Sequence, residues 1–519
     1  MSANILLIGE TVVFSYLAFL AGELFLRFFG AWSGFRLRQG AYALMAGYGI
    51  FGCIGTVLGA IGVFTPQALW GAALVILLVS GPTLRSHMLS LKRFRFGAVA
   101  ALAQESFGTM FLRFVIALWL MAIFSIVFVP ITGHDTLDYH LPVMRSLVET
   151  WAFDFSAASR TPLPLFGEAL YAVPIAMFGE AAAPFMFQVL QYIALVLLVM
   201  LIYAFLRDRV RHPFFALLGV LSVLSLMDLL REVLHGGYVD VVGFLYGIVS
   251  VLIVVEYVAE REARPSAPLS LSAVFLGVAM GIKYTGLIFG VFNGLVLLGM
   301  FLWRRERMRH AFVVCARYAL IAAAVGGIWY VKNAVVFGNP VYPMFSNVQA
   351  TAEINVFLID RTPMNLVVFP FYRYAQWFVQ DKETSSRLIV LGYLVLMYVL
   401  LAALLVLRRR LRVSEFLMAL FILFYFAVLF FLSHQYRFLL PATIGLAVLL
   451  ALLGDTAFHE SRGRLSERAY RILFRGAVIV CTVAFLGVFV GTVHYFAIKF
   501  RYATGLYSKG EYMLEIGGQ

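Results

Sequence analysis

Phe111–Pro130 (FLRFVIALWLMAIFSIVFVP) runs almost directly into Gly133–Pro142 (GHDTLDYHLP), so two carboxylates and two imidazoles follow an apolar segment of helical length. About 20 apolar residues are enough for a helix to cross the hydrocarbon core of a bilayer. Ionisable groups that close to a bilayer cost free energy unless they face water or each other. Asp135, Asp138, His134 and His140 are therefore the first functional candidates of this chain.

The oily character extends outward from that segment. The 519 residues are 62% hydrophobic and 13% charged, whereas soluble domains carry roughly 25% charged residues. The expected fold class is an all-α polytopic membrane protein. Apolar windows place about fourteen transmembrane helices, near 4–26, 41–63, 67–83, 111–130, 184–206, 214–232, 238–257, 269–282, 284–302, 311–331, 387–407, 415–433, 438–453 and 476–498. The pair 269–282 and 284–302 abuts at Lys283 and reads equally well as a broken or re-entrant pair. Met1–Ala21 has no basic leader and contains Glu10, so it reads as part of the first span and not as a cleaved signal. Cys53, Cys315 and Cys481 are scattered in apolar runs, which suits small buried hydrophobes better than a disulfide framework or metal knot.

A net charge of +13 would suit a nucleic-acid ligand, but its distribution points elsewhere. More than half of the 40 Lys and Arg fall in the alternate inter-span segments 27–40, 83–98, 207–213, 258–268, 303–310, 408–414 and 455–475. Short basic loops on one side are the positive-inside bias. No nucleic-acid partner is expected, and with fourteen spans both termini would lie outside. Lys499, Arg501 and Lys509 in the tail run against that bias.

Two long segments fall on the outer side. Segment 131–183 holds the acidic cluster, the amphipathic stretch Leu141–Thr150, the turn Arg160–Pro164 and the apolar stretch Phe166–Phe178 with Glu168; the two stretches read as interfacial helices. Segment 332–386 contains Gly338-Asn339-Pro340-Val341-Tyr342-Pro343, whose prolines and glycine exclude a continuous helix. The expected organisation is an N-terminal three-span addition over 1–100, a catalytic core over 101–454 with outer loops 131–183 and 332–386, and a C-terminal part over 455–519 comprising a basic loop, a last span and a short tail.

On a helical turn Asp135 and Asp138, at i and i+3, point the same way. Such a pair serves as a general base with its partner or as a metal site, and equally as a solvated helix start favoured by the dipole. His134 and His140 beside them suit a divalent ion or sugar hydroxyls, or structural hydrogen bonds. Asp240 opens a later span after Gly236-Gly237-Tyr238; it reads either as an N-cap or as part of a site, and the glycines, which permit close backbone approach, favour the site. Three cations, Lys283, Arg437 and Arg160, face outward against the charge bias. Arg437, between two spans with almost no loop, needs a carboxylate, carbonyls or an anionic ligand such as phosphate, or else snorkels to headgroups. Glu10 and Glu23 of the first span are expected to pair with neighbouring helices.

With these residues in view, the chain resembles the GT-C superfamily of integral-membrane glycosyltransferases, in particular the bacterial branch of the aminoarabinose transferase and protein O-mannosyltransferases. Asp135-Thr136-Leu137-Asp138-Tyr139-His140 resembles the family's Asp-Glu-x-x-aromatic motif, with Thr136 where the family has Glu. Tyr238-Val239-Asp240, Lys283-Tyr284-Thr285, Asn339–Pro343 and Tyr436–Pro441 follow in the family's order and cover roughly 110–450. The resemblance implies transfer of a sugar from a polyprenyl-phosphate donor to an acceptor (lipid, glycan or protein) at the outer face of a bacterial inner membrane. It implies Asp135 as general base with Asp138 beside it, and Arg437, Lys283 and Arg160 on the donor phosphate. Tyr139, His140, Glu168, Tyr342 and Tyr436 would line the substrate pocket. A divalent metal ion, used by only part of the superfamily, would have Asp240 and His140 as ligands. The rival readings are an O-antigen polymerase or ligase, which relies on loop Arg and His residues, and a lipid-linked sugar flippase or transporter.

Overall fold

A computed structural model describes the chain except residues 1, 32–36, 92–106, 132, 156–161, 180–182, 227–228, 231–237, 261–266, 347–360, 367–410, 433–435, 463–467, 469–489, 491–496, 504, 509 and 512–519. In chain order its α-helices are α1 (Ser2–Phe28), α2 (Leu37–Ala60), α3 (Pro66–Val79), α4 (Gly81–Leu91), α5 (Phe107–Ile126), α6 (Leu141–Thr150), α7 (Phe166–Phe178), α8 (Ala183–Arg207), α9 (Pro213–Leu224), α10 (Asp240–Ala259), α11 (Ala267–Ile282), α12 (Gly286–Trp303), α13 (Met308–Gly326), α14 (Ile328–Phe337), α15 (Val413–Leu432), α16 (Leu440–Arg462) and α17 (Ala497–Ala503). A π-turn covers Thr136–His140 and a 3₁₀ turn Tyr436–Leu439; no strand occurs among the described residues. Nine helices among the described residues are long and apolar enough to cross a membrane, with shorter apolar helices between them. The protein is all-α and polytopic.

The departures from the expected spans have local causes. The window 67–83 stops at Val79, where the Ser80 N–H turns back to the carbonyls of Ile76 and Leu78. The window 214–232 stops at Leu224, where Ser225 returns both its N–H and its hydroxyl to Leu221. The abutting pair at Lys283 is two separate helices, α11 and α12. The window 311–331 does not end at a loop: α13 pauses at Gly327 and α14 carries the helix on to Phe337, where Gly338 at φ +68° terminates it in the left-handed region only glycine adopts cheaply. Segment 332–386 thus begins as helix. The expected span 387–407 and most of 476–498 lie outside the described residues.

Contacts divide the chain into two compact units. The first comprises Met1–Ala103, Pro130–Leu201 and Glu232–Glu353. Within it the N-terminal helices are integral: α1 lies on α2, α2 on α7, and α11 touches α2, α7, α10, α12 and α13. Backbones meet directly where α1 crosses α2. A Cβ on Gly22 would stand 1.7 Å from the Ala43 carbonyl oxygen, and one on Gly47 would stand 1.6 Å from that of Ala18. Small residues allow this approach in membranes, where dispersion and not water exclusion holds helices together. Helix α6 forms over the expected residues and buries Leu141, Met144 and Leu147. Helix α7 also forms as expected, but every residue from Phe166 to Met177 is buried, enclosed mainly by α2, α3, α6 and α11. An interfacial helix presents one face to headgroups; α7 presents none, because it is apolar all round.

The second unit comprises Gln104–Val129, Ile202–Arg231 and Ile354–Gln519. Here α15 and α16 form a hairpin, with α9 against α16 and α5 against α9. One end of the hairpin is pinned by two buried acids. Asp455 accepts the N–H groups of Arg211 and His212 at 3.0 and 3.1 Å. Glu415 accepts from Arg412 Nε at 3.0 Å, while Arg412 also reaches the Arg209 carbonyl at 2.8 Å.

Because α1 and α2 are in backbone contact, Gly47→Leu is expected to force them apart. An overpacked core site costs about 1–3 kcal/mol or more, so the thermal midpoint of the purified protein in detergent should fall, whereas Gly9→Leu, with open space around it, should leave it in place.

Candidate functional site

The polar residues of the first unit are placed by elements far apart in sequence. Asp135 precedes the π-turn Thr136–His140, which leads without a break into α6. A π-turn closes i→i+5 hydrogen bonds and is rare outside functional sites. Asp135, just before the turn, and Asp138, within it, do not share one environment. Asp135 is half-buried and Asp138 exposed. His134 is exposed, with Nδ1 3.7 Å from Asp135 Oδ1.

His140 turns the other way, into the protein. Its Nδ1 stands 2.6 Å from Glu168 Oε1 in the first turn of α7, and both residues are 1% exposed. The His140 ring meets the Tyr139 ring at 3.8 Å and the Tyr238 ring edge-on at 6.4 Å. Gln191 of α8 donates its amide N–H to the Tyr238 carbonyl. Tyr171, one turn beyond Glu168, lies within electrostatic reach of both Glu168 and Asp240. Packing explains the convergence. A Cβ on Gly167 would meet Val239 Cγ1 at 2.7 Å, so the start of α7 lies directly on the residues that open α10.

Asp240 is the first residue of α10, whose N-cap position is Val239. It is 1% exposed and its Oδ1 accepts from Lys283 Nζ at 2.6 Å. The N-cap reading of Asp240 therefore gives way to an ion pair joining the start of α10 to the end of α11. Next to Lys283, Tyr284 and Asn333 form a hub. Asn333 Nδ2 donates to the Tyr284 hydroxyl at 2.6 Å and to the Pro162 carbonyl at 2.7 Å. The Tyr284 hydroxyl faces the carbonyls of Pro162 and Tyr342. Burial pushes the Tyr284 hydroxyl above its ordinary range, opposed by the Asn333 hydrogen bond; it stays protonated and can donate. The hub thus ties the loop before α7, the turn after α11 and the turn after α14. Beside it, Lys332 Nζ lies 6.0, 6.0 and 5.6 Å from the rings of Phe155, Trp329 and Phe337. The Phe337 ring stacks on Tyr342 at 4.3 Å.

Of the residues expected from sequence, Asp135, Asp138, Tyr139, His140, Glu168, Asp240, Lys283 and Tyr342 all belong to this unit. Arg437 and Tyr436 belong to the second, in the 3₁₀ turn opposite the acid-pinned end of the α15–α16 hairpin; the Arg437 guanidinium stands 5.3 Å from the Phe438 ring. Arg160 lies outside the described residues. Asn333, Gln191 and Lys332 were missed. The signal was the polar pair Lys332-Asn333, which falls one residue past the expected end of the span and so reads as loop. Among the described residues no group of three or more His, Cys, Asp and Glu side chains is arranged to hold a metal ion. The two expected ligands instead face internal partners, His140 to Glu168 and Asp240 to Lys283. Buried Glu23 of α1 takes Arg27 of its own helix at 2.6 Å and His87 of α4 at 3.0 Å; the second contact is the expected pairing with a neighbouring helix.

No family model matches the sequence, and no curated protein does. Among solved structures the chain is similar to ArnT from Cupriavidus metallidurans. In the apo state the TM-score is 0.45 at 16% identity, over 72% of this chain and 64% of that one. With undecaprenyl phosphate bound it is 0.43 at 16% identity, over 70% and 63%. This chain thus spans a little under two thirds of the length of those proteins.

Removing one partner of a buried ion pair leaves an uncompensated charge and costs about 3–5 kcal/mol. Lys283→Met alone should therefore lower the thermal midpoint markedly, and Asp240→Asn added to it should restore most of the loss. Equal midpoints for the single and double variants would show that the pair is not coupled.

Proposed function

We propose that this protein is an integral-membrane glycosyltransferase that moves a sugar from a polyprenyl-phosphate carrier to an acceptor hydroxyl at the outer face of a bacterial inner membrane. The observation that carries the reading is the gathering, within one apolar helical unit, of the Asp135 turn, the Asp240–Lys283 pair and the Tyr284–Asn333–Tyr342 hub. A carboxylate at the edge of an oily bundle suits a reaction whose donor is half lipid and half sugar phosphate.

In this reading Asp135, half-buried beside the exposed Asp138, takes the proton of the acceptor hydroxyl as general base. The acceptor oxygen then forms its bond to the anomeric carbon while the bond from that carbon to the phosphate oxygen breaks, with inversion. The lipid phosphate leaves with the electron pair and needs positive charge as it does so. In this reading Lys283 supplies it from this unit. Tyr139 and Tyr342 are the aromatic surfaces for the sugar. No step is routed through a metal ion.

Loss of a positioned general base costs about 10²–10⁴-fold in rate. Asp135→Asn should show that fall in native membranes supplied with radiolabelled polyprenyl-phosphate sugar, as label retained in the lipid donor, with an unchanged thermal midpoint. A folded variant that turns over at the wild-type rate would remove Asp135 from the mechanism.

A further inference from the structure

The reaction just described gives no task to Glu168, which is buried with His140. We propose that the Glu168–His140 dyad is a positioning device, which holds the π-turn in place and so sets where Asp135 and Asp138 stand. The inference rests on the sugar-transfer reading for its consequence, not for its geometry.

A π-turn is poorer in energy than the α-helix it interrupts and persists where its surroundings hold it. Here the turn is the direct start of α6, and Thr136–His140 would fall into α-register if its last residue were free to rotate outward. His140 is the residue that prevents this. Its Nδ1 stands 2.6 Å from a Glu168 carboxyl oxygen across 28 residues of sequence, inside an apolar setting that strengthens a hydrogen bond. Glu168 sits on a closely packed element: α7 is buried from Phe166 to Met177, and its neighbour Gly167 lies against Val239 too closely for a Cβ. His140 Nε2 and Glu168 Oε2 are buried with no hydrogen-bond partner among the described residues. Among the described residues the Nδ1–Oε1 contact is thus the one hydrogen bond of the dyad, and it joins turn to helix. The same ring abuts Tyr238, two residues before Asp240, so the dyad also fixes the turn relative to the Asp240–Lys283 pair.

The test separates geometry from turnover. In a Cys53→Ala/Cys315→Ala/Cys481→Ala background, a nitroxide at Leu137→Cys, an exposed position of the turn, reports local order by electron paramagnetic resonance in lipid vesicles. Glu168→Leu and His140→Leu should each mobilise the label. Glu168→Gln, whose amide oxygen still accepts from Nδ1–H, and His140→Asn, whose amide N–H replaces that donor, should keep it ordered. In the labelled-donor assay the Leu variants should lose about 100-fold or more in kcat, the scale of a catalytic group displaced by about 1 Å, with KM for the donor within about threefold. The Gln and Asn variants should recover at least tenfold of that loss. A label equally ordered in all four variants, or Asn and Gln variants as impaired as their Leu counterparts, overturns the proposal. If Leu variants fail to fold, the wild-type and Gln or Asn spectra decide: a mobile label in the amide variants overturns it, an ordered one supports it. Because the label arm needs no turnover, it decides the dyad even where the sugar-transfer reading fails.

Discussion

A charge inside an apolar helical bundle survives only with a partner, and the 2.6 Å pair between Asp240 and Lys283 is the point on which the site of this protein turns. Taking a carboxylate and an ammonium out of water costs several kcal/mol each, recovered only when geometry is tight and the remaining hydrogen-bonding capacity is met. That constraint fixes the start of α10 against the end of α11 and brings Lys283 to a definite place. The same rule recurs at the other buried acids among the described residues: Glu168 with His140, Glu23 with Arg27 and His87, Glu256 with Arg38, Glu415 with Arg412, and Asp455 with two backbone N–H groups. These pairs hold stability less than they hold register, since hydrophobic side chains of similar size would pack at least as well.

Helix approach supplies the second half of the arrangement. Lipid offers no hydrophobic drive for one helix to meet another, so close contact depends on small residues. Gly22 and Gly47 put α1 on α2, Gly52 and Gly55 of α2 receive Phe166 and Ala169 of α7, and Gly167 seats α7 on Val239. The chain from α1 through α2 and α7 to Asp240 is thus a sequence of glycine contacts, which is why the first two helices are part of the unit that carries the candidate site.

Above this frame, polar side chains decide the loops. Asn333 and Tyr284 gather the carbonyls of Pro162 and Tyr342 and close three connections on one hub. Loops at the edge of a membrane bundle carry backbone groups that must be satisfied. A hub of this kind satisfies them and leaves the neighbouring carboxylates and cations in set positions, a requirement of sugar transfer from a lipid phosphate as proposed above.

Much of this was legible in the residues. Spans, helical class and the cluster around Asp135 follow from runs of apolar side chains long enough for a bilayer and from the cost of placing charge beside them. The ends of α3, α9 and α13 were less legible, because a capping serine or a pausing glycine looks like any other residue in an apolar run. The burial of α7 was misread, since an apolar helix in an outer segment has the same composition whether lipid or protein surrounds it. What the sequence determined by itself is the class of the protein and the kinds of polar group available. Which of them meet, Asp240 with Lys283 and His140 with Glu168, was decided by tertiary structure alone. Pairs separated by 43 and 28 residues leave no periodic trace; the cost of burying either partner without the other appears only once the helices are packed.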